Sequence, residues 1–127
     1  MPLLALALGA CASGPSPAQQ AADEIANVYP ADAKAEIIAV LRTYLNDPTG
    51  IRDAELTAPA LKPVGSRNRY VACVRFSAKT NSGGYAAPRE HLVIFYSGKL
   101  ERFIEANREQ CRDAAYERFP EAERITR

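Results

Sequence analysis

The stretch Arg69-Tyr70-Val71-Ala72-Cys73-Val74-Arg75-Phe76-Ser77-Ala78-Lys79 decides how the chain is to be read. Tyr70, Ala72, Val74, Phe76 and Ala78 fall on one parity, while Arg69, Arg75 and Lys79 share the other with Val71, Cys73 and Ser77. A period of two marks an extended strand, because successive Cβ atoms point to opposite faces of a sheet. The even face is the more apolar one, so it is expected to meet a helix.

Downstream, Thr80-Asn81-Ser82-Gly83-Gly84 reads as a hairpin tip lengthened by Pro88. His91 to Ser97 then returns as a strand that is apolar on both parities, with Leu92, Ile94 and Tyr96 on one and Val93 and Phe95 on the other. Such a strand belongs inside a sheet that is covered on both sides. Ser97-Gly98-Lys99 signals a tight turn, and Leu100 to Ala106, with Phe103 and Ile104, reads as a last strand.

Upstream, Ile51 to Ala58 alternates loosely as a strand, and Pro59, Pro63, Gly65 and Asn68 mark a loop after it. Before that strand, Ala33, Ile37, Ile38, Leu41, Tyr44 and Leu45 fall on one stripe at helical spacing. Asp47-Pro48 stops this amphipathic helix, since the residue before a proline is driven out of the α region. Ser16-Pro17 offers a helix cap and first turn to a helix-compatible stretch from Gln19 to Tyr29. From Asn107 to Arg127 charges of both signs surround only sparse apolar residues, Tyr116, Phe119 and Ile125, without a clear period. The expected fold is α+β: a helix over residues 31–46 packed on a three- or four-stranded antiparallel sheet, with residues 31–127 as a single domain.

At 127 residues, 47% hydrophobic and 24% charged, the composition suits one globular domain that folds without a metal or cofactor, and none is expected. The net charge of +1 argues against a nucleic-acid partner. Its distribution is uneven. Residues 58–100 hold seven basic groups and one acidic, whereas residues 1–57 hold three and seven and residues 101–127 hold six and seven. The simpler outcome is mutual neutralisation in the fold. The other is an anion-binding face made by Arg67, Arg69, Arg75, Lys79 and Arg89, with Tyr85 adding contact area.

There is no GxSxG, HExxH, GxxxxGKS/T, SxxK, or GxGxxG after a strand, so no enzyme is expected. His91, the only histidine, is the one candidate for acid/base work at neutral pH. The expectation for it is a half-exposed edge residue with a local hydrogen bond.

Leu3 to Ala10 is apolar and ends in Leu8-Gly9-Ala10-Cys11, which resembles the lipobox of bacterial lipoproteins. The resemblance implies a signal peptide over residues 1–10, lipid on Cys11 as the first mature residue, and a tether or short helix over residues 11–30. It implies a membrane partner through that lipid. Ala12 after the cysteine favours, by the same analogy, the periplasmic side of the outer membrane over the inner membrane. No basic residue precedes Lys34, so the true start is expected upstream of Met1. With Cys11 taken by lipid, Cys73 and Cys111 remain in an oxidising compartment, either as a disulfide or as two buried thiols. A bond between them would strap the charge-rich tail across the odd face of the Arg69–Lys79 strand. No metal site is expected, since there is neither a CxxC nor a Cys/His cluster. The domain as a whole resembles small Gram-negative envelope lipoproteins. The expected role is therefore non-enzymatic binding of an envelope protein or polymer through the basic sheet face or the 80–90 loop, with an inhibitor-like or small-ligand-binding periplasmic domain as the alternative.

Overall fold

A computed structural model describes residues 14–127. The leader, the lipobox and Cys11 lie outside the described residues. The first element, α1 (Pro17–Ala26), starts on a capping box: Gln19 N–H donates to Ser16 Oγ at 3.2 Å, and Ser16 N–H donates to Gln19 Oε1 at 3.1 Å. Its end is tied to the sheet, where Ser97 N–H donates to Ala26 O at 2.7 Å. Next, α2 (Ala33–Tyr44) buries Ala33, Ile37 and Leu41, the stripe its spacing requires. Beyond it, the Asp47 carboxylate accepts from Thr49 N–H at 3.0 Å and closes the turn that Pro48 begins.

The strands are β1 (Arg52–Leu56), β2 (Ala60–Val64), β3 (Arg67–Ser77), β4 (Arg89–Tyr96), β5 (Lys99–Glu105) and β6 (Glu117–Arg118). They form one six-stranded sheet in the order β5-β4-β3-β1-β6, with β2 also paired to β3 and every pairing antiparallel. The decisive stretch is thus the long central strand. Its first half takes β2 and its second half takes β1 along one edge, and β4 runs along the other.

The α+β class stands, but the sheet has more strands than expected. Pro59, Pro63, Gly65 and Asn68 predict a loop, whereas residues 60–64 form β2 and Asn68 lies in β3. The strand forms because β2 pairs only with β3, so the missing N–H of Pro63 faces no second partner. It returns through Gly65-Ser66, with Gly65 at φ +63° as a two-residue hairpin turn demands. In β1 the loose alternation has a cause: an extra residue between Arg52 and Glu55 breaks the register with β3, and Asp53 there takes φ +54°.

Two cores flank the sheet. On the helix side, Ala72, Val74 and Phe76 of β3 and Val93 and Phe95 of β4 pack with Ile37 and Leu41. On the other, Val71 and Cys73 meet Leu92, Ile94 and Cys111, with Tyr116 and Ala114 packed against them. Cys73 and Cys111 are disulfide-bonded with Cα atoms 5.9 Å apart, which straps the tail across this second face.

The tail goes further than its charge-rich sequence suggested. After crossing the second face it pairs at the β1 edge as β6, and Phe119 N–H donates to Ala54 O at 2.8 Å. It then rounds that edge into α3 (Pro120–Glu123) and drives Phe119, Ala122 and Ile125 into the helix-side core. Tyr116, Phe119 and Ile125 share no period because they belong to an irregular path over both faces, Tyr116 packing on the second core and Phe119 and Ile125 in the first.

In the chain-entropy description, a crosslink closing 38 residues contributes roughly 3 to 4 kcal/mol. Replacing Cys73 and Cys111 together by Ala is expected to lower the urea unfolding free energy by about that amount. A loss under 1 kcal/mol would mean that packing alone holds the tail.

Candidate functional site

Antiparallel pairing places Val74 opposite His91, and His91 opposite Glu105. On the helix side this sets Phe76, His91 and Phe103 diagonally across three adjacent strands, close enough for ring contact. The imidazole stacks on Phe76 at 4.8 Å and 9° and on Phe103 at 5.0 Å and 16°. Tyr44, the last residue of α2, stands edge-on to His91 at 5.7 Å and to Phe103 at 5.0 Å. Offset and edge-on ring pairs of this kind add about 0.5–1.5 kcal/mol each beyond the area they bury.

His91 is therefore not a half-exposed edge residue. It is 5% exposed, and its Nδ1 is buried without a hydrogen-bond partner. The edge expectation failed because β4 lies between β3 and β5, and α2 closes over position 91 from above. Burial pushes the imidazole below its ordinary value, against an opposing pull from Glu105. The backbone at Arg89 and Val74 pulls the same way as Glu105, and burial outweighs them, so the ring is held neutral.

A cleft of about 310 Å³ opens beside this histidine. Phe76, Tyr44 and Leu45 form one side, and Ala86 and Ala87 of the β3–β4 connection form the other. Arg89 and Glu105, paired at 3.5 Å, stand at its exposed border.

That connection is fastened at its base. Tyr85 O–H donates to Gly50 O at 2.7 Å, the Arg52 guanidinium lies 3.9 Å from the Tyr85 ring centre, and Lys79 pairs with Asp47 at 3.9 Å. Gly50 suits the turn because its φ is +67°, a backbone conformation that residues with a Cβ rarely adopt. Residues 80–84 project as an exposed tip closed by Thr80 N–H donating to Gly84 O at 2.8 Å.

The other cations singled out from sequence are spread along the sheet and paired. Arg67 and Arg69 both reach Asp23 of α1, at 3.6 and 3.7 Å. Arg75 bonds Glu55 on β1, sits opposite Glu90 on β4, and lies 4.6 Å from the Tyr116 ring centre. Tyr116 O–H in turn donates to Glu90 at 2.5 Å, and burial followed by that bond holds the phenol above the usual tyrosine range. Arg89 shares the helix side with His91, so it is on the opposite face of the sheet from Arg75. The structure brings Lys79 and Tyr85 together at the loop base and Arg67 and Arg69 at the end of α1, and it does not gather all six into one surface.

Sequence reasoning missed the ring stack. The parity of His91 with Val93 and Phe95 was the available signal, but the register that brings Phe76 and Phe103 beside it is not written in any one segment. Among the described residues no group of three or more His, Cys, Asp or Glu is placed to hold a metal ion, and no helix is long and apolar enough to cross a membrane. No family model matches the chain, and no curated protein or solved structure is significantly similar to it.

Because the folded state favours neutral His91, the unfolded chain binds the proton first as the pH falls below about 6.5. The stability contribution is fully present above that pH and is lost as acid drives the folded imidazole to protonate. Urea midpoints measured from pH 7.5 to 5 are expected to fall for the natural chain and to flatten in His91→Phe, which keeps a flat apolar ring between Phe76 and Phe103. Parallel slopes would contradict the buried neutral ring.

Proposed function

We propose that this chain is an exported, lipid-anchored and non-catalytic binding domain of the bacterial envelope, held at the periplasmic side of the outer membrane through lipid on Cys11. The observation that carries the reading is the buried Cys73–Cys111 bond, a crosslink of the kind that persists in oxidising compartments and is rare in the cytosol. The lipobox resemblance supplies the anchor.

The 80–90 loop is the preferred contact for an envelope protein or polymer. Loops set on a rigid scaffold are where recognition concentrates, and this one is fixed at Tyr85 and Lys79 while its tip stays free to touch a partner. The basic sheet face is the weaker choice. Arg67, Arg69, Arg75, Lys79 and Arg89 each have a carboxylate within 4 Å, and an anionic partner would have to displace it. The cleft at His91 favours a second reading, a small-ligand-binding periplasmic domain, because its lining is mostly apolar.

The anchor is tested by Cys11→Ser. Expressed in a Gram-negative host, the natural chain is expected in the membrane fraction with metabolically incorporated fatty acid, and the variant in the soluble periplasmic fraction without it. A variant that still sediments with membranes and carries label would end the lipoprotein reading. The loop is tested by replacing Asn81 and Ser82 with Glu and Lys. Thermal melting is expected to be unchanged, and an in-cell crosslinked partner is expected to be lost.

A further inference from the structure

Antiparallel pairing puts the β2–β3 turn at Gly65-Ser66 and the β4–β5 turn at Ser97-Gly98 at one end of the sheet, and the 80–88 connection at the other. Between the two ends β3 runs from Arg67 to Ser77, a span of about 35 Å at the usual strand rise. Helix α1 is fastened to the first end. Arg67 and Arg69 reach Asp23 at 3.6 and 3.7 Å, Asn27 Nδ2 donates to Asn68 O at 3.1 Å, and Ser97 N–H donates to Ala26 O at 2.7 Å. Residues 17–26 are therefore part of the domain and add nothing to the reach of a tether.

Large apolar side chains are left uncovered at this same end. Ile25, Val28 and Tyr29 are each at least half exposed, and Tyr96 is 44% exposed. They surround one another: Val28 Cγ1 lies 3.3 Å from where a Cβ on Gly98 would stand, Tyr29 packs edge-on against Tyr70 at 5.4 Å, and the Arg69 guanidinium carbon lies 5.7 Å from the Tyr96 ring centre. Exposed Leu61, the register partner of Tyr70, borders them. Among the described residues the other large apolar side chain left exposed is Tyr44, at the His91 cleft. Helix α1 buries only Ala26, so Ile25 is turned outward with no covering from the fold. Tyrosines, with an apolar ring and a polar tip, suit the boundary between membrane and water.

The length of chain before α1 says what covers this surface. Five residues carry the chain from Cys11 to Ser16, and even fully extended they span at most about 18 Å. We infer that the α1 end of the domain rests on the phospholipid leaflet that holds the Cys11 lipid, with Ile25, Val28, Tyr29 and Tyr96 in the headgroup region and the 80–84 tip pointing away from the bilayer. The inference rests on the lipid-anchor reading of Cys11. A single lipid attachment gains from a second membrane contact, and an apolar surface next to the attachment point supplies one. With that end seated, β3 carries the 80–84 tip on the order of 35 Å from the bilayer, where it can meet a partner.

The chain contains no tryptophan, so a single introduced one reports its own surroundings. The full lipidated chain carrying Ile25→Trp, Tyr96→Trp or, at the loop tip, Ser82→Trp is purified from membranes. Each variant is reconstituted into vesicles of phosphatidylethanolamine and phosphatidylglycerol with brominated acyl chains, which quench nearby indole. All three positions are exposed, so thermal melting is expected to be unchanged. Ile25→Trp and Tyr96→Trp are expected to lose at least half their fluorescence relative to unbrominated vesicles and to emit at shorter wavelength, whereas Ser82→Trp is expected to do neither. Adding Val28→Glu to Ile25→Trp is expected to relieve the quenching while the protein still floats with the vesicles. Flotation without quenching in Ile25→Trp and Tyr96→Trp, or equal quenching in Ser82→Trp, overturns the inference and leaves the lipid anchor standing. Quenching that Val28→Glu leaves untouched does the same. Failure of the natural chain to float overturns the anchor and this inference together.

Discussion

The structure depends on covering β3 and β4 on both sides. Ala72, Val74, Phe76, Val93 and Phe95 face one way, and Val71, Cys73, Leu92 and Ile94 face the other. Burying apolar side chains is the main favourable contribution to folding, so neither face can be left to solvent in a domain of this size. One amphipathic helix, α2, covers one face. Among the described residues no helix joins the core on the other face, which is covered by an irregular segment fastened by Cys73–Cys111. Irregular backbone has little regular hydrogen bonding to hold it in place, and the covalent bond offsets that weakness. Once the tail is fixed there, its last residues are delivered around the β1 edge, and Phe119 becomes one of the most deeply buried side chains in the protein.

The same layout governs the charges. The basic middle of the chain forms the centre of the sheet, and its carboxylate partners come from what surrounds it: Asp23 from α1, Asp47 from the turn after α2, Glu55 from β1 and Glu105 from β5. Each exposed pair contributes roughly 0–1 kcal/mol, so these contacts matter less for stability than for removing an electrostatic surface. What remains distinctive is a neutral imidazole locked between two phenyl rings beside an apolar cleft, walled by a loop whose base is tied to the residues around Gly50.

Much of the fold was legible because its signals are local. The helix stripe from Ala33 to Leu45, the Ser16 cap, the alternation around Val74, the two-faced strand from His91 and the Ser97-Gly98 turn each require only a few neighbouring residues to recognise. Three features were not legible in this way. Pro63 looked like a loop residue until the sheet showed β2 with a single pairing partner, where a missing donor has no consequence. The pair Glu117-Arg118 is too short for any period, and it is a strand only because β1 is waiting beside it. His91 carried the parity of the core, but its environment is made by Phe76, Phe103 and Tyr44, which come from three other elements.

Residue order by itself determined the α+β class, the amphipathic helix, the central strand and which of its faces meets that helix, because periodicity and turn chemistry act over a few residues. Its even count of cysteines, once the lipobox resemblance sets Cys11 aside, also pointed to one crosslink. Only the tertiary structure decided that Cys73 and Cys111 are joined, that the tail covers both faces in succession, and that Arg67, Arg69, Arg75, Lys79 and Arg89 each meet a carboxylate. Only it placed a histidine in a ring stack next to a cleft. Those outcomes depend on register and on distances between segments far apart in the chain, and such distances are set by packing the whole domain at once.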